Sequence, residues 1–382
     1  MNKKKVYILT TSRADFDLLF PVISEMNKIQ NLKINLIVSG NHYNKKFGNT
    51  HKQLKKFSSK IIFKHKFDYK KFKKLHIMFS MSDYIKKLSI LFEKKPCDIF
   101  LILGDRYETL ASAYVANFFG IPIAHISGGE ITRGSQDDSY RHAITKLSRF
   151  HFVSHKSYKK RLLQLGEEKK NIFNCGFLGK ENVSNTQILS KEKLQKILKI
   201  KLNKFNFFVS YHPETIQTNL NVQNFKILIS SLLSYKNTSI YITSPNADVG
   251  SDKIVDIIND YRKKNFKINY FKSLGKVNYF SLLYYCNLYI GNSSSGISEI
   301  PYLKRYSINV GIRQQGRHMP LNVINIPFKK KQIINEINKI LLKKEFNNKK
   351  IKKTFTSKKI AKTISKIKLT NYVPKKFIDL NY

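Results

Sequence analysis

The sequence predicts an α/β protein of two Rossmann-like domains, each on a parallel sheet and the two facing a cleft. Short apolar runs alternate with amphipathic stretches along the chain, and the alternation comes in two successive series. The polar loops rich in Gly, Ser and charge fall directly after the apolar runs. Strand, helix, strand at this spacing implies parallel pairing with right-handed crossovers. The 382 residues, 42% hydrophobic and 13% aromatic, suffice to fill two cores.

In the first series, strands are expected at 6–10, 34–38, 98–103, 121–126, 150–154 and 171–175, with helices over 16–29, 107–119, 137–147 and 156–165. In the second, strands are expected at 205–210, 239–244, 268–273, 288–291 and 306–310. A polar and then helical stretch near 180–200 separates them. This gives domains at 1–180 and 181–345, with 346–382 as a C-terminal helix or a solvated Lys-rich tail. No short-period repeat is evident.

Charge narrows the partners. The net charge is +45 from 70 basic and 25 acidic residues, and only ten of the basic residues are Arg. The lysines are scattered through the expected helices and loops without forming a stripe, so they dress the surface. Arg13, Arg106, Arg133, Arg141, Arg313 and Arg317 lie inside the Gly- and acid-rich segments, and guanidinium geometry suits bidentate phosphate contact. A small phosphorylated ligand is therefore favoured, with nucleic acid the minor reading and not an expected partner. No run approaches the roughly 20 apolar residues that span a bilayer, so no membrane partner is expected. The apolar run after MNKKK is too short for a signal segment. Cys97, Cys175 and Cys286 are far apart without CxxC spacing, which argues against a disulfide framework or zinc site and fits a reducing cytoplasm.

In open parallel sheets, ligands sit beyond the carboxyl ends of the strands. TTSRADFD (10–17), GDRYET (104–109), HISGGE (125–130), HPET (212–215), SPNADVGSD (244–252) and GNSSSGISE (291–299) all follow expected strands. GNSSSGISE leads into an expected helix. Its backbone N–H groups with Ser293 and Ser294 then suit a diphosphate, and Glu299 suits ribose hydroxyls. A Ser-rich helix cap is the competing structural account. TTSRADFD is neither a GxGxxG nor a Walker A loop, which argues against NAD and ATP hydrolysis. Arg13 is the phosphate or hydroxyl contact there, with Asp15 and Asp17 as first-turn helix acids. Arg313 and Arg317 add positive charge.

A chain poor in carboxylates gathers Asp105, Glu108, Glu130, Asp137 and Asp138 between residues 101 and 147. Structural roles suffice for Asp138 and His142. For Asp105, Glu130 and Asp137 together, acid/base work on a neutral sugar is the better account, because a phosphorylated ligand is repelled by carboxylates without a task.

These segments, in this order, resemble the hydrolysing UDP-N-acetylglucosamine 2-epimerases of sialic acid biosynthesis over residues 5 to about 330. The resemblance implies a glycosyltransferase-B-like fold and a homodimer. It implies conversion of UDP-N-acetylglucosamine and water to N-acetylmannosamine and UDP, without a metal or redox cofactor. By position it implies acid/base roles for Asp105, Glu130 and Asp137, and a catalytic or phosphate contact for His212. Arg13, Asp17, Asn246, Ser293, Ser294, Glu299 and Arg313 fall on substrate-binding positions, with Arg106 beside the sugar. One departure stands out. Many relatives read HIEGGE where this chain reads HISGGE, so Ser127 replaces a Glu with a catalytic assignment, and either Glu130 supplies that function or the site shares it differently. Two alternatives stay open: a 2-epimerase for a UDP- or GDP-linked 4-acetamido-6-deoxy sugar, and a glycosyltransferase of the same architecture.

Overall fold

A computed structural model describes residues 3–43, 50–67, 74–216, 218–245, 250–343, 353–369 and 375–379. It resolves into two compact units. The first comprises 1–131, 136–181 and 354–382, and the second 132–135 and 182–353. Among the described residues, no helix is long and apolar enough to cross a membrane.

Among the described residues, the first unit is built on seven strands, β1 (Lys4–Thr10), β2 (Leu32–Val38), β3 (Ile61–Lys64), β4 (Ile99–Leu103), β5 (Ile123–Ile126), β6 (Phe150–Val153) and β7 (Ile172–Asn174). They pair in parallel in the order β3-β2-β1-β4-β5-β6-β7. Val6, Ile8, Leu36, Val38 and Leu101 are nearly inaccessible, as expected of a sheet covered on both faces. The helices along this stretch are α1 (Arg13–Met26), α2 (Lys74–Lys94), α3 (Tyr107–Phe118), α4 (Asp137–Leu147), α5 (Lys156–Gln164) and α6 (Leu178–Ser184), and the next, α7 (Lys191–Leu198), belongs to the second unit. Phe16, Leu19, Val22 and Ile23, at helical spacing on α1, join the core of β1, β2 and β4.

The second unit repeats the plan with β8 (Phe205–Ser210), β9 (Thr238–Thr243), β10 (Ile268–Phe271), β11 (Leu288–Gly291), β12 (Tyr306–Val310) and β13 (Val323–Ile326). All are parallel, in the order β10-β9-β8-β11-β12-β13. Its helices are α8 (Asn221–Leu233), α9 (Ser251–Lys264), α10 (Lys276–Tyr285), the four-residue α11 (Ser295–Ser298) and α12 (Lys330–Leu342). Phe207, Val209, Ile240, Ile242, Ile290 and Ile308 form the centre of its core.

A last helix, α13 (Thr356–Lys366), belongs to the first unit. Ile360, Ala361 and Ile364 complete the core around Val6 and Phe16. Glu181 accepts from the Ser357 N–H at 2.7 Å and hydroxyl at 2.6 Å at its start. At its end Lys4 Nζ donates to the carbonyls of Ile364, Ser365 and Ile367 at 2.7 to 3.0 Å.

Candidate active site

Both sheets reverse their winding between neighbouring central strands, β1 and β4 in one, β8 and β11 in the other. At such a switch point the loops leaving the two strands diverge and open a crevice. The loops that occupy these places are TTSRAD and GDRYET in the first unit, HPET and GNSSSG in the second.

TTSRAD is folded around one carboxylate. Asp15 accepts from the Thr10 hydroxyl at 2.6 Å, the Thr11 N–H at 2.8 Å and hydroxyl at 2.7 Å, and the Ser12 N–H at 3.0 Å. Ser12 accepts from the Asp15 N–H in return, closing a capping box on α1. Gly40, at φ +60°, lets the next loop lie against Thr11, whose carbonyl would stand 2.3 Å from an added Cβ. Asp15 is thus the organiser of the loop. Arg13 and Asp17, one turn apart on α1, are half-buried and 3.8 Å apart as a loose ion pair.

Beyond β4 and β5 the carboxylates gather around Arg141, which is 1% exposed. Its guanidinium forms an ion pair with Asp105, bonds Asp138 Oδ1 at 3.0 Å and donates to the Glu130 carbonyl at 3.0 Å. Burial acts to lower the Arg141 pKa, but Asp105 first and then Glu130 outweigh it and hold the group above its ordinary value. Asp138 also lies 3.7 Å from His142 Nε2. Asp137 opens α4, next to this cluster. Arg106 turns towards buried Glu108 at 3.1 Å and lies over the Tyr107 ring.

His125 ties these pieces together. Its Nε2 donates to the Gly104 carbonyl at 2.8 Å and its Nδ1 accepts from the Thr145 hydroxyl at 3.3 Å. Full burial pushes its pKa down to about 3, so the ring is a neutral strut between the β4 exit and α4. Two residues on, Ser127 takes φ +71°, in the left-handed region that non-glycine residues rarely occupy.

In the second unit, three loops are locked by two side chains. Asn292 accepts from the His212 N–H at 2.7 Å and donates to its carbonyl at 2.8 Å. Glu214, 2% exposed, accepts from the Ile312 N–H at 3.1 Å. Burial raises the Glu214 carboxyl above its ordinary value, opposed by the backbone N–H groups of Ile312 and Arg313. Arg313 and Gln314 both donate to the Asn292 carbonyl, at 3.2 and 2.9 Å. His212 is buried beneath, while Ser293, Ser294 and Glu299 are half-buried. Ser295 donates to Glu299 and meets the Tyr279 hydroxyl. Residues 132–135 join this unit through the Arg133 N–H to the Gln315 carbonyl at 3.0 Å.

The family model described as UDP-N-acetylglucosamine 2-epimerase matches residues 24–368. The chain belongs to that family. The Campylobacter jejuni GDP/UDP-N,N'-diacetylbacillosamine 2-epimerase (hydrolyzing) is 40% identical over 326 residues, 85% of each chain. The polysialic acid biosynthesis protein P7 of Escherichia coli is 35% identical over 336 residues, 88% of this chain and 85% of its own. Among solved structures, the UDP-GlcNAc 2-epimerase of Neisseria meningitidis bound to UDP-GlcNAc superposes with a TM-score of 0.77 at 17% identity. It covers 95% of this chain and 100% of its own. The fold of this epimerase-family chain is therefore of the glycosyltransferase-B type.

The helix expected after GNSSSG is only Ser295–Ser298, followed by a 3-10 turn at Ile300–Leu303. Pro301 lacks an N–H and ends regular α-hydrogen bonding there, so local N–H groups rather than a macrodipole are what that loop offers. Asn246 lies outside the described residues. Asp105, Glu130 and Asp137 fall in one region of the first unit, and His212, Ser293, Ser294, Glu299 and Arg313 in one region of the second. Sequence reasoning gave no functional weight to Asn292 and Glu214 and no structural one to Arg141 and His125. Their position inside GNSSSG, HPET and the acid-rich segment was the available signal.

Proposed function

We propose that this protein is a hydrolysing nucleotide-sugar 2-epimerase whose sugar is a 4-acetamido-6-deoxy hexose of the bacillosamine type, carried on UDP or GDP. The 40% identity to the Campylobacter diacetylbacillosamine enzyme over 85% of both chains supports the sugar class. The Arg141-centred carboxylates support the chemistry. Inverting C2 needs a base on one face of the sugar and an acid on the other, which one group does not readily supply.

In this reading a carboxylate among Asp105, Glu130 and Asp137 removes the C2 proton while the C1–oxygen bond breaks and the nucleoside diphosphate leaves. Water then adds at C1 of the 1,2-unsaturated sugar, and a second acid protonates C2 from the opposite face. The products are the free 2-epimer and the nucleoside diphosphate. Arg13, Asp17 and Arg106 are substrate contacts in this reading. His212, Ser293, Ser294, Arg313 and Asn246 hold the diphosphate and Glu299 the ribose. The charge that develops on the leaving group is met by Arg313 and loop N–H groups.

A second reading, UDP-N-acetylglucosamine to N-acetylmannosamine, is favoured by the relative named for polysialic acid biosynthesis. Proton NMR in deuterated water with each nucleotide sugar separates the two. The expected result is free UDP plus a C2-deuterated epimer from the diacetylbacillosamine substrate, at a kcat/KM at least tenfold above UDP-N-acetylglucosamine. The reverse ranking installs the second reading, and turnover of neither removes both.

We also infer a homodimer working in the cytoplasm. Leu75, Met78, Phe79 and Ile90 on α2 and Tyr114 and Phe118 on the neighbouring α3 are exposed, an apolar allotment that suits a partner surface. The three free cysteines are buried, which suits a reducing compartment. Phe79→Glu with Phe118→Asp is expected to halve the mass found by light scattering.

A further inference from the structure

We propose that residues 375–378 brace helix α4 from its C-terminal end, with Lys375 a positioning residue for the carboxylates at the other end. The inference rests on the acid/base reading above for its catalytic part and on geometry alone for the brace.

The last turn of a helix leaves four carbonyls without partners, and a glycine in the left-handed conformation is the usual solution. α4 has none. Its C-cap, Ser148, is extended at φ −92° and ψ 148°. The Ser148 hydroxyl and N–H return to the Ile144 and Thr145 carbonyls and the Asn117 amide reaches that of Leu147, and an ammonium from more than two hundred residues away completes the set. Lys375 Nζ donates to Thr145, Lys146 and Ser148 at 3.1, 2.9 and 2.8 Å. A cation there also meets the negative end of the helix dipole.

The ammonium is itself fixed. It pairs with Glu167 at 2.5 Å, and the same carboxylate, 1% exposed, takes Lys146 at 3.1 Å and His151 Nε2 at 2.9 Å. Two residues further on, the Phe377 ring rests on Gly166, where a Cβ would come within 2.8 Å, and the Ile378 N–H donates to the Gly166 carbonyl at 3.1 Å. The Lys4 ammonium treats the end of α13 in the same way. Among the described residues of this unit, lysine capping from a distant segment thus serves α4 and α13 alike.

The consequence runs along α4. Eleven residues span about 16 Å, with the Lys375 contacts at one end and Asp137, Asp138 and Arg141 in the first turns of the other. Arg141 bonds Asp105 across elements, so a shift of the helix along its axis changes how that carboxylate is held.

The test uses the full chain with Lys375→Met, Lys375→Arg and, should the first not fold, Lys375→Gln. Hydrogen exchange is followed in peptides from 137–147 and 356–366, and kcat and KM are measured with whichever nucleotide sugar the wild type turns over. Expected for Lys375→Met are exchange about tenfold faster in α4 but unchanged in α13, and kcat about tenfold lower with KM within twofold, the scale of a charge at a helix end. Lys375→Arg recovers part of both. Unchanged protection of α4 overturns the brace, and faster exchange with wild-type kcat overturns the positioning role. If the wild type turns over neither sugar, the proposed function falls and exchange still decides the brace.

Discussion

Asn292 and His212 exchange two hydrogen bonds, the Asn292 side chain accepting from the His212 N–H at 2.7 Å and donating to its carbonyl at 2.8 Å. The pair sits where β8 and β11 run side by side, with Gly291 opposite Ser210. One amide side chain thus imitates a backbone partner just past the sheet edge and fixes HPET against GNSSSG. Asn292→Ala leaves two buried groups unpaired, each costing about 1 to 3 kcal/mol. The expected loss is roughly 3 kcal/mol in urea unfolding, with UDP affinity in calorimetry at least tenfold weaker. Wild-type UDP affinity in a folded variant removes these loops from nucleotide binding.

Arg141 is the shared counterion of Asp105 and Asp138. Arg141→Lys keeps the charge and loses the fork that reaches both, a change that is not conservative in a buried, multiply bonded site. We expect a folded protein with kcat reduced at least about 100-fold, equivalent to roughly 2.7 kcal/mol. Arg141→Met exposes the second cost, a loss of about 3 kcal/mol in stability from carboxylates left without their partner. A Lys variant that turns over normally would show that Arg141 only supports the fold.

Ser127 holds φ +71°, a conformation that costs a serine about 1 to 2 kcal/mol and glycine nothing. Ser127→Gly relieves that strain, less the added freedom of the unfolded chain. The net expectation is a gain of about 1 kcal/mol, read as a rise in Tm. A fall in kcat accompanying it would mark the hydroxyl as the reason a serine is kept there. A drop in Tm contradicts the strain argument.

His125 takes up its proton near pH 3 when folded against 6.5 for the free side chain. Below pH 6.5 the unfolded chain binds a proton that the folded protein refuses, so stability falls as pH drops from 6.5 towards 3. The slope from this one group approaches about 1.4 kcal/mol per pH unit. Between pH 7 and 5, His125→Gln is expected to lose about 2 kcal/mol less than the wild type in urea titrations. Parallel pH dependences in the two proteins would place the acid sensitivity elsewhere.

The buried strands were legible because a parallel sheet covered on both faces writes itself as continuous apolar runs. VYILT, FNFFVS and YSINV lie within or match β1, β8 and β12. Two of the edge strands, β3 and β13, were not, although the edge strands β7 and β10 match the runs at 171–175 and 268–273. IIFK of β3 is half exposed and embedded in lysines, and VINI of β13 is only four residues with one buried, so neither carries a period long enough to read. α13 was legible only as weak helical period, since its Lys-rich outer face masks the buried Ile360 and Ile364. At the candidate site, residue types and loop placement could be read. Which carboxylate Arg141 would pair with could not, because a pairing between Asp105 and Arg141 spans 36 residues and depends on the strand order.

The return of α13 to the first sheet also sets a timetable. Ile360 and Ile364 belong to the same core as Val6 and Phe16, yet about 170 residues are made between the end of α6 and the start of α13, roughly 9 to 34 s of translation. During that interval the β1 and α1 side of the nascent domain carries an unfilled apolar groove outside the ribosome. Of the two units, the one begun earlier is therefore the one finished later.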